Sequence, residues 1–301
     1  MIDQLKVGKL KWIHIPIANE ESMSYLRDNY DFHPLDIEDC LSKVQRPKID
    51  IYDDYRFLIL HFPYFDKDVK FVKTKEVKIF WGTDFVITLG THWVIRSLFS
   101  KTKEEADIDI DELPNTSDVL LYSILESLIK ESIKLFKMIE DSLEHISREM
   151  FDKKAERTIE RISVTRKNLI LLNTAFKPQL RLFQKFESGV IKGFTPGLED
   201  YWGNILDSYQ KMWDSIEDYQ ELIQGLSLTF DSLQTNKTNE IMNVLTVFSA
   251  VLLPLTFITG LFGMNVNLPM QDNSIAFIFL AGTMFLIILG LLLYFKRRRW
   301  I

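Results

Sequence analysis

Cysteine is almost missing from this chain: Cys40 is the only one in 301 residues. That excludes an intramolecular disulfide, a CxxC redox pair and a cysteine-built zinc site. The five histidines, His14, His33, His61, His92 and His145, are scattered without an HExxH pattern or close pairing, so nothing marks a histidine-built metal centre. Glycine and proline are thin, at 12 and 9 residues, and both are absent from Thr116 to Phe151. No glycine-rich phosphate loop, nucleophile elbow or metal-hydrolase motif occurs, and the chain is not expected to be an enzyme. No basic segment followed by an apolar core opens it, so no secretory signal is expected and the N-terminus is expected in the cytoplasm.

Charge has the most uneven distribution. Between Glu240 and Asp272 there are 31 uncharged positions in a row, and a second uncharged run extends from Asn273 to Phe295. A helix crossing the hydrocarbon core of a bilayer needs about 20 apolar residues. Both runs are long enough, and the expected spans are 244–262 and 275–295. The last 58 residues hold one acid, Asp272, and four bases, Lys296 to Arg299; the 243 before them carry a net charge of −9 out of −6 for the whole chain. An acidic soluble part argues against nucleic acid as a partner and suits cation attraction. The loop between the spans has no lysine or arginine and the tail has four in a row. This bias predicts a multi-pass protein of the cell membrane with both termini in the cytoplasm.

Ahead of the spans the pattern changes once. Residues 10–17, 56–62, 70–81 and 85–89 read as strands rich in Val, Ile, Phe and Thr, and 20–29 and 92–100 as short helices. Residues 1–115 are therefore expected to form an α/β domain, with 103–115 as a linker. From Thr116 the pattern is helical. One helix runs to about Phe151, and another runs from about Ala155 to Glu187, with Pro178 as a kink or break. A third is expected to start at Thr195-Pro196, with a capping hydroxyl and proline at the first position. No stop signal then occurs until Gly263. Leu206, Tyr209, Trp213, Ile216, Tyr219, Ile223, Leu226, Phe230 and Leu233 form its apolar stripe. The run from Leu198 to Phe262 corresponds to about 95 Å of helix. The expected organisation is a helical stalk, 116–243, followed by a transmembrane domain, 244–301.

Within the first span, Asn239, Met242, Leu245, Ser249, Leu253, Thr256, Gly260 and Gly263 recur at steps of three or four. A face that mixes small and polar groups is turned away from lipid. It serves either helix packing or a water-filled path, and one helix per chain cannot enclose a path alone.

The span ends in Gly263-Met264-Asn265. This tripeptide, between two C-terminal spans and ahead of a basic tail, resembles the signature of the CorA family of magnesium transporters. Asn239-Glu240 before the span, Pro254-Leu255-Thr256-Phe257 within it and Tyr294 to Trp300 at the end match the same pattern; Phe262 stands where the family has tyrosine. A second stretch, His33-Pro34-Leu35 with Glu38-Asp39, followed by Gln45-Arg46-Pro47-Lys48, resembles the family's cytosolic domain. The resemblance implies a homopentameric funnel: an α/β cytosolic domain, a long helical stalk and two C-terminal transmembrane helices, the first lining the axis. It implies a selectivity filter at Gly263, Met264 and Asn265, and a pore lined by Asn239, Met242, Leu245, Ser249, Leu253, Thr256 and Gly260. It further implies regulation by intracellular Mg²⁺ through acids between neighbouring subunits, for which Glu38, Asp39, Glu126, Asn204 and Asp207 are the matching positions. The cargo implied is Mg²⁺, with Co²⁺ or Ni²⁺ as further candidates. A zinc transporter of the same architecture, whose branch carries isoleucine at the place of Met264, and a membrane-anchored sensor without transport remain the alternatives.

Overall fold

The computed structural model describes residues 2–42, 44–106, 114–151, 155–264, 274–298 and 300. The chain divides into two compact units, Met1–Leu226 and Ser227–Ile301. The division falls inside a helix rather than at residues 115 and 243, because the helices after residue 116 pack against the sheet.

The first unit holds a six-stranded mixed sheet in the order β1-β2-β6-β5-β4-β3. Its strands are β1 (Asp3–Val7), β2 (Leu10–Ile15), β3 (Lys48–Ile51), β4 (Tyr55–Asp66), β5 (Phe71–Gly82) and β6 (Phe85–Leu89). Among the described residues the β2–β6 pair is parallel and the other four pairs are antiparallel. The edge strands β1 and β3 are additions to the sequence expectation. They are short, with five and four residues, and half polar. Gly8 makes the β1–β2 turn with φ at 60°, a left-handed conformation suited to glycine.

Successive strand residues face opposite sides. Tyr55, Phe57 and Ile59 of β4 join Ile13, Ile15, Phe80 and Ile87 in a core closed by α1 (Glu20–Asn29) and α2 (Pro34–Leu41). The other face carries Trp12, Phe62 and Trp81 against α3 (Trp93–Ala106), α4 (Ser117–Glu149) and α5 (Ala155–Glu187). Helix α3 runs six residues past the expected Ser100, into the stretch read as linker.

Two side chains of α5 complete the sheet. The Gln179 amide accepts from the His61 N–H and donates to the His61 carbonyl, both at 2.9 Å. The Asn168 carbonyl oxygen accepts from the Val72 N–H at 2.9 Å. Helix α5 is unbroken at Pro178. Phe176, Gln179, Leu180 and Phe183 are buried on both sides of the proline, and this packing holds the helix across the lost hydrogen bond.

Helix α6 spans Glu199–Phe262. It does not start at Thr195-Pro196 as expected. The buried carboxylate of Asp118 on α4 accepts from the N–H groups of Phe194 and Thr195, and Gly197 turns the chain at φ 86° before the helix begins. Gly193 is required there, because a Cβ would lie 2.9 Å from Asp118 Oδ1. The stripe read from the sequence is the buried face: Tyr209, Trp213, Ile216 and Ile223 are covered, with Trp202, Ile205 and Met212 beside them. Tyr209 packs on Phe183 and Phe176 of α5 at ring distances of 4.4 and 5.3 Å.

The second unit contains the end of α6 and α7 (Ser274–Arg297). Both helices are long and apolar enough to cross a membrane.

Candidate ion path and regulatory acids

Exposure divides α6 within the second unit into faces. Val247 is buried, and Asn243, Ala250, Val251, Pro254, Leu255 and Ile258 are partly covered. Asn239, Met242, Leu245, Ser249, Leu253, Thr256 and Gly260 are all exposed, with Leu253 reaching 71%. At 3.6 residues per turn the two sets are centred roughly 150° apart. The expected path-lining face therefore remains open when the chain is alone. Phe248, Leu252 and Phe257 are also exposed but sit on its flanks.

The Thr256 hydroxyl donates to the Leu252 carbonyl at 2.9 Å, one turn back. Its hydrogen is thereby committed and its oxygen is left as an acceptor. No acid or base lies on this face. This face thus offers acceptor oxygens and apolar surface.

At the end of the helix the Gly263 N–H donates to the Thr259 carbonyl at 2.9 Å. A Cβ at Gly263 would sit 3.1 Å from that same oxygen, so glycine keeps the last turn tight. Gly260 has open space around it, so packing within the chain does not demand its small size. Met264 is half exposed. Asn265 lies outside the described residues.

The expected regulatory acids are placed as follows. Asp39 is paired with Lys48 at 2.7 Å. Glu38 is exposed on the same helix. Glu126 forms a helical pair with Lys130 at 2.9 Å. The Asn204 amide donates to the Tyr122 hydroxyl at 2.6 Å, one turn from Glu126, while Asp207 is exposed. Among the described residues no three His, Cys, Asp or Glu side chains converge on a metal position. These acids therefore form no three-acid metal position within the described residues of one chain.

The second motif has an architectural role in the first unit. His33 caps α2 by accepting from the Leu35 N–H, and Pro34 fills the first turn. The Tyr55 hydroxyl accepts from the His33 N–H at 2.8 Å and donates to buried Asp36 at 2.7 Å. Burial raises the Asp36 carboxyl above its usual range, against the two tyrosine hydrogen bonds. Gln45 directs its N–H to Glu76 at 2.7 Å. Lys48 holds both Asp39 and Asp50.

Glu76 was not anticipated as a special residue. It pairs with Lys78 at 2.7 Å and lies 3.5 Å from His61 Nε2. Burial pushes its carboxyl up, but the partners win and hold it at about 2. The alternation of Glu76, Lys78 and Phe80 within a buried strand was the available signal, since charges at inward positions need partners.

Comparison with known proteins gives one family. The model for CorA-like Mg²⁺ transporter proteins matches residues 7–297. YfjQ of Bacillus subtilis, provisionally named a metal ion transporter, is 29% identical over 96% of this chain and 89% of its own length. The cobalt/magnesium transport protein CorA of Thermotoga maritima is 25% identical over 96% and 83%. Proteins named for zinc transport, ZntB, match as well, at 22% identity. The solved CorA magnesium transporter of Methanocaldococcus jannaschii superposes with a TM-score of 0.84 at 20% identity, over 99% of this chain and 93% of that one.

Proposed function

This chain belongs to the family of CorA-like Mg²⁺ transporter proteins, and from that premise we propose that it passes hydrated Mg²⁺ across the cell membrane as a homopentamer. The observation that carries this reading is the uncharged, acceptor-bearing face of α6, exposed from Asn239 to Gly260 and turned away from the face that packs within the chain. Five copies around an axis would cover that face and enclose a path.

Mg²⁺ holds its octahedral waters tightly and is usually bound with several retained. A ring of Asn265 carbonyls at the path's outer mouth accepts hydrogen bonds from those waters without stripping them. Gly263 brings the backbone close. Met264 packs rather than ligates, because a thioether is too soft for Mg²⁺. Further in, Met242 and Leu245 form an apolar constriction that closes by dewetting, and Asn239 forms the inner polar ring. Internal Mg²⁺ bridging acids of neighbouring subunits favours the closed state, and its loss shifts the population to the open one. Co²⁺ and Ni²⁺ are further candidate cargoes.

A zinc reading has support from the relatives named ZntB, and Met264 in place of isoleucine favours Mg²⁺ over it. The test is influx into proteoliposomes with Mg²⁺, Co²⁺, Ni²⁺ and Zn²⁺, singly and in competition. Mg²⁺ is expected to pass and Asn265→Ala to abolish flux while the oligomer persists. Zn²⁺ flux that Mg²⁺ leaves untouched would reverse the choice of ion. An oligomer with no flux of any divalent ion would leave a membrane-anchored sensor.

A further inference from the structure

The second unit contains a groove of about 320 Å³ lined by Val244, Val247, Phe248, Val251, Leu292 and Trp300. Every lining side chain is apolar or aromatic. The α6 residues of the groove are centred roughly 160° around the helix from the path-lining face, so an ion path along the other side leaves the groove free. Trp300 closes one end because the chain folds back after α7. Its N–H donates to the Phe295 carbonyl at 3.1 Å, and its ring stacks on Phe295 at 5.6 Å.

Cations stand at the same end. Lys296 follows Leu292 by one helical turn and so projects from the groove-lining face of α7. Arg297 is next to it, and the Arg298 guanidinium lies 5.8 Å from the Tyr294 ring. None of the three is ion-paired with another described residue. One acid, Glu240, sits a turn before Val244 on α6, so the balance at this end is positive. A tryptophan beside a basic cluster marks a membrane–water interface, and basic pockets between spans on the cytoplasmic side hold anionic headgroups.

We propose that this groove binds one anionic phospholipid of the inner leaflet, with an acyl chain against Val247, Val251 and Leu292 and its phosphate at Lys296 and Arg297. The proposal rests on the reading of α6 and α7 as membrane spans. It adds a role for the groove: Val244 and Phe248 flank Leu245, so the acyl chain packs on the back of the helix segment assigned to the constriction, and lipid occupancy biases how that segment moves.

The test uses the full chain, reconstituted in phosphatidylcholine vesicles containing a minor fraction of phosphatidylglycerol and then extracted in mild detergent. Co-purified lipid is identified by mass spectrometry. Phosphatidylglycerol is expected to be enriched over its share in the vesicles. Lys296→Gln should lower the enrichment about fivefold, the effect of one basic side chain near a charged headgroup. Val251→Trp, which fills the groove, should abolish it. Trp300→Ala, which removes the groove's closing wall from outside the helices, should lower the enrichment in the same direction. Lipid retained in vesicle proportion, or enrichment indifferent to Lys296→Gln and Trp300→Ala, overturns the site. So does the loss of all bound lipid in the assembled oligomer, which would mean that a neighbouring copy fills the groove. Lipid retention is read without ion flux, so a protein that enriches the lipid and carries no ion refutes the transport reading and leaves this site standing.

Discussion

The two units treat apolar surface in opposite ways. In the first, Phe80 is fully buried and stacks on Phe32 at 4.1 Å, with Phe57 at 4.5 Å. In the second, Leu253, Phe257, Ile278 and Phe279 are 71%, 69%, 71% and 77% exposed. The first unit satisfies the hydrophobic effect within one chain. The second leaves much of its apolar surface uncovered by the chain itself. The same contrast governs polar groups. Glu76 and Lys78 are paired inside the first unit, whereas the polar side chains of the α6 face are exposed.

The largest effect expected from this contrast is on stability. Phe80→Ala should cost about 3–5 kcal/mol, the usual loss for emptying a large buried aromatic site. Phe257→Ala should change the stability of the first unit by no more than about 0.5 kcal/mol. Denaturation of the full chain in detergent, followed by near-ultraviolet circular dichroism, measures both. Equal losses would mean that the two units share one cooperative core.

A slightly smaller effect is expected at Glu76. Its side chain is 13% exposed, and the folded carboxyl titrates at about 2 against an ordinary 4.5. The difference corresponds to a stabilisation of about 3 kcal/mol. The folded acid titrates below the unfolded one, so this contribution is complete above pH 4.5 and is lost as pH falls toward 2. Glu76→Gln should lower the midpoint at pH 7 and remove that part of the acid dependence. A variant that loses stability in parallel with the native protein between pH 5 and 3 would show that another carboxylate carries the effect.

Labelling sharpens the comparison inside α6. Cysteine at Ser249 or Thr256 should react with aqueous thiol reagents at least about tenfold faster than cysteine at Phe248 or Phe257, because only thiolate in water reacts. Cysteine at Val247, buried within the chain, should be slowest. Native Cys40 need not be replaced for this experiment. It is 4% exposed, and burial pushes its thiol up to about 12. Equal rates on the two exposed faces would remove the path assignment.

How much the sequence disclosed follows the same division. The ends of α5 and α6 at Glu187 and Phe262 were legible, and that of α4 to within two residues, because long amphipathic runs and a charge-free span have few competing readings. The buried stripe of α6 was legible for the same reason. The start of α6 was not: Thr195-Pro196 carries a good local capping signal, but Asp118, 77 residues earlier, takes the Thr195 N–H instead. Strands β1 and β3 were missed because edge strands need only one apolar face and these have four or five residues. The proposed path-lining positions were read from three- and four-residue spacing; they are exposed in the single chain, as Phe248, Leu252 and Phe257 are too. The partners of the acids were not readable. Lys48 lies nine residues from Asp39 in a separate strand, and no periodicity links them.

The smallest effect expected concerns regulation, where the contrast becomes one between acids already paired and acids still free. A divalent ion recruiting Asp39 has to displace Lys48, which sits 2.7 Å away. At Glu126 it has to displace Lys130 at 2.9 Å. Asp207 is exposed and makes no ion pair with another described residue, so its carboxylate is available at no such cost. A partly exposed pair is worth up to about 1 kcal/mol, which sets the scale at about fivefold in ion concentration. Lys48→Ala should therefore shift inhibition of influx to lower internal Mg²⁺ by up to about fivefold, by freeing Asp39. Asp207→Ala should shift it to higher Mg²⁺ by removing a ligand. Asp39→Ala should act in the same direction as Asp207→Ala, and more weakly, since its carboxylate is the more encumbered. Influx into vesicles loaded with graded internal Mg²⁺ reads all three. If Lys48→Ala and Asp207→Ala both keep the native inhibition curve, these acids only fix the soluble unit and sensing resides elsewhere. If Lys48→Ala moves the curve upward instead, Lys48 holds Asp39 in the position from which it binds the ion, and the pairing supports the site rather than competing with it.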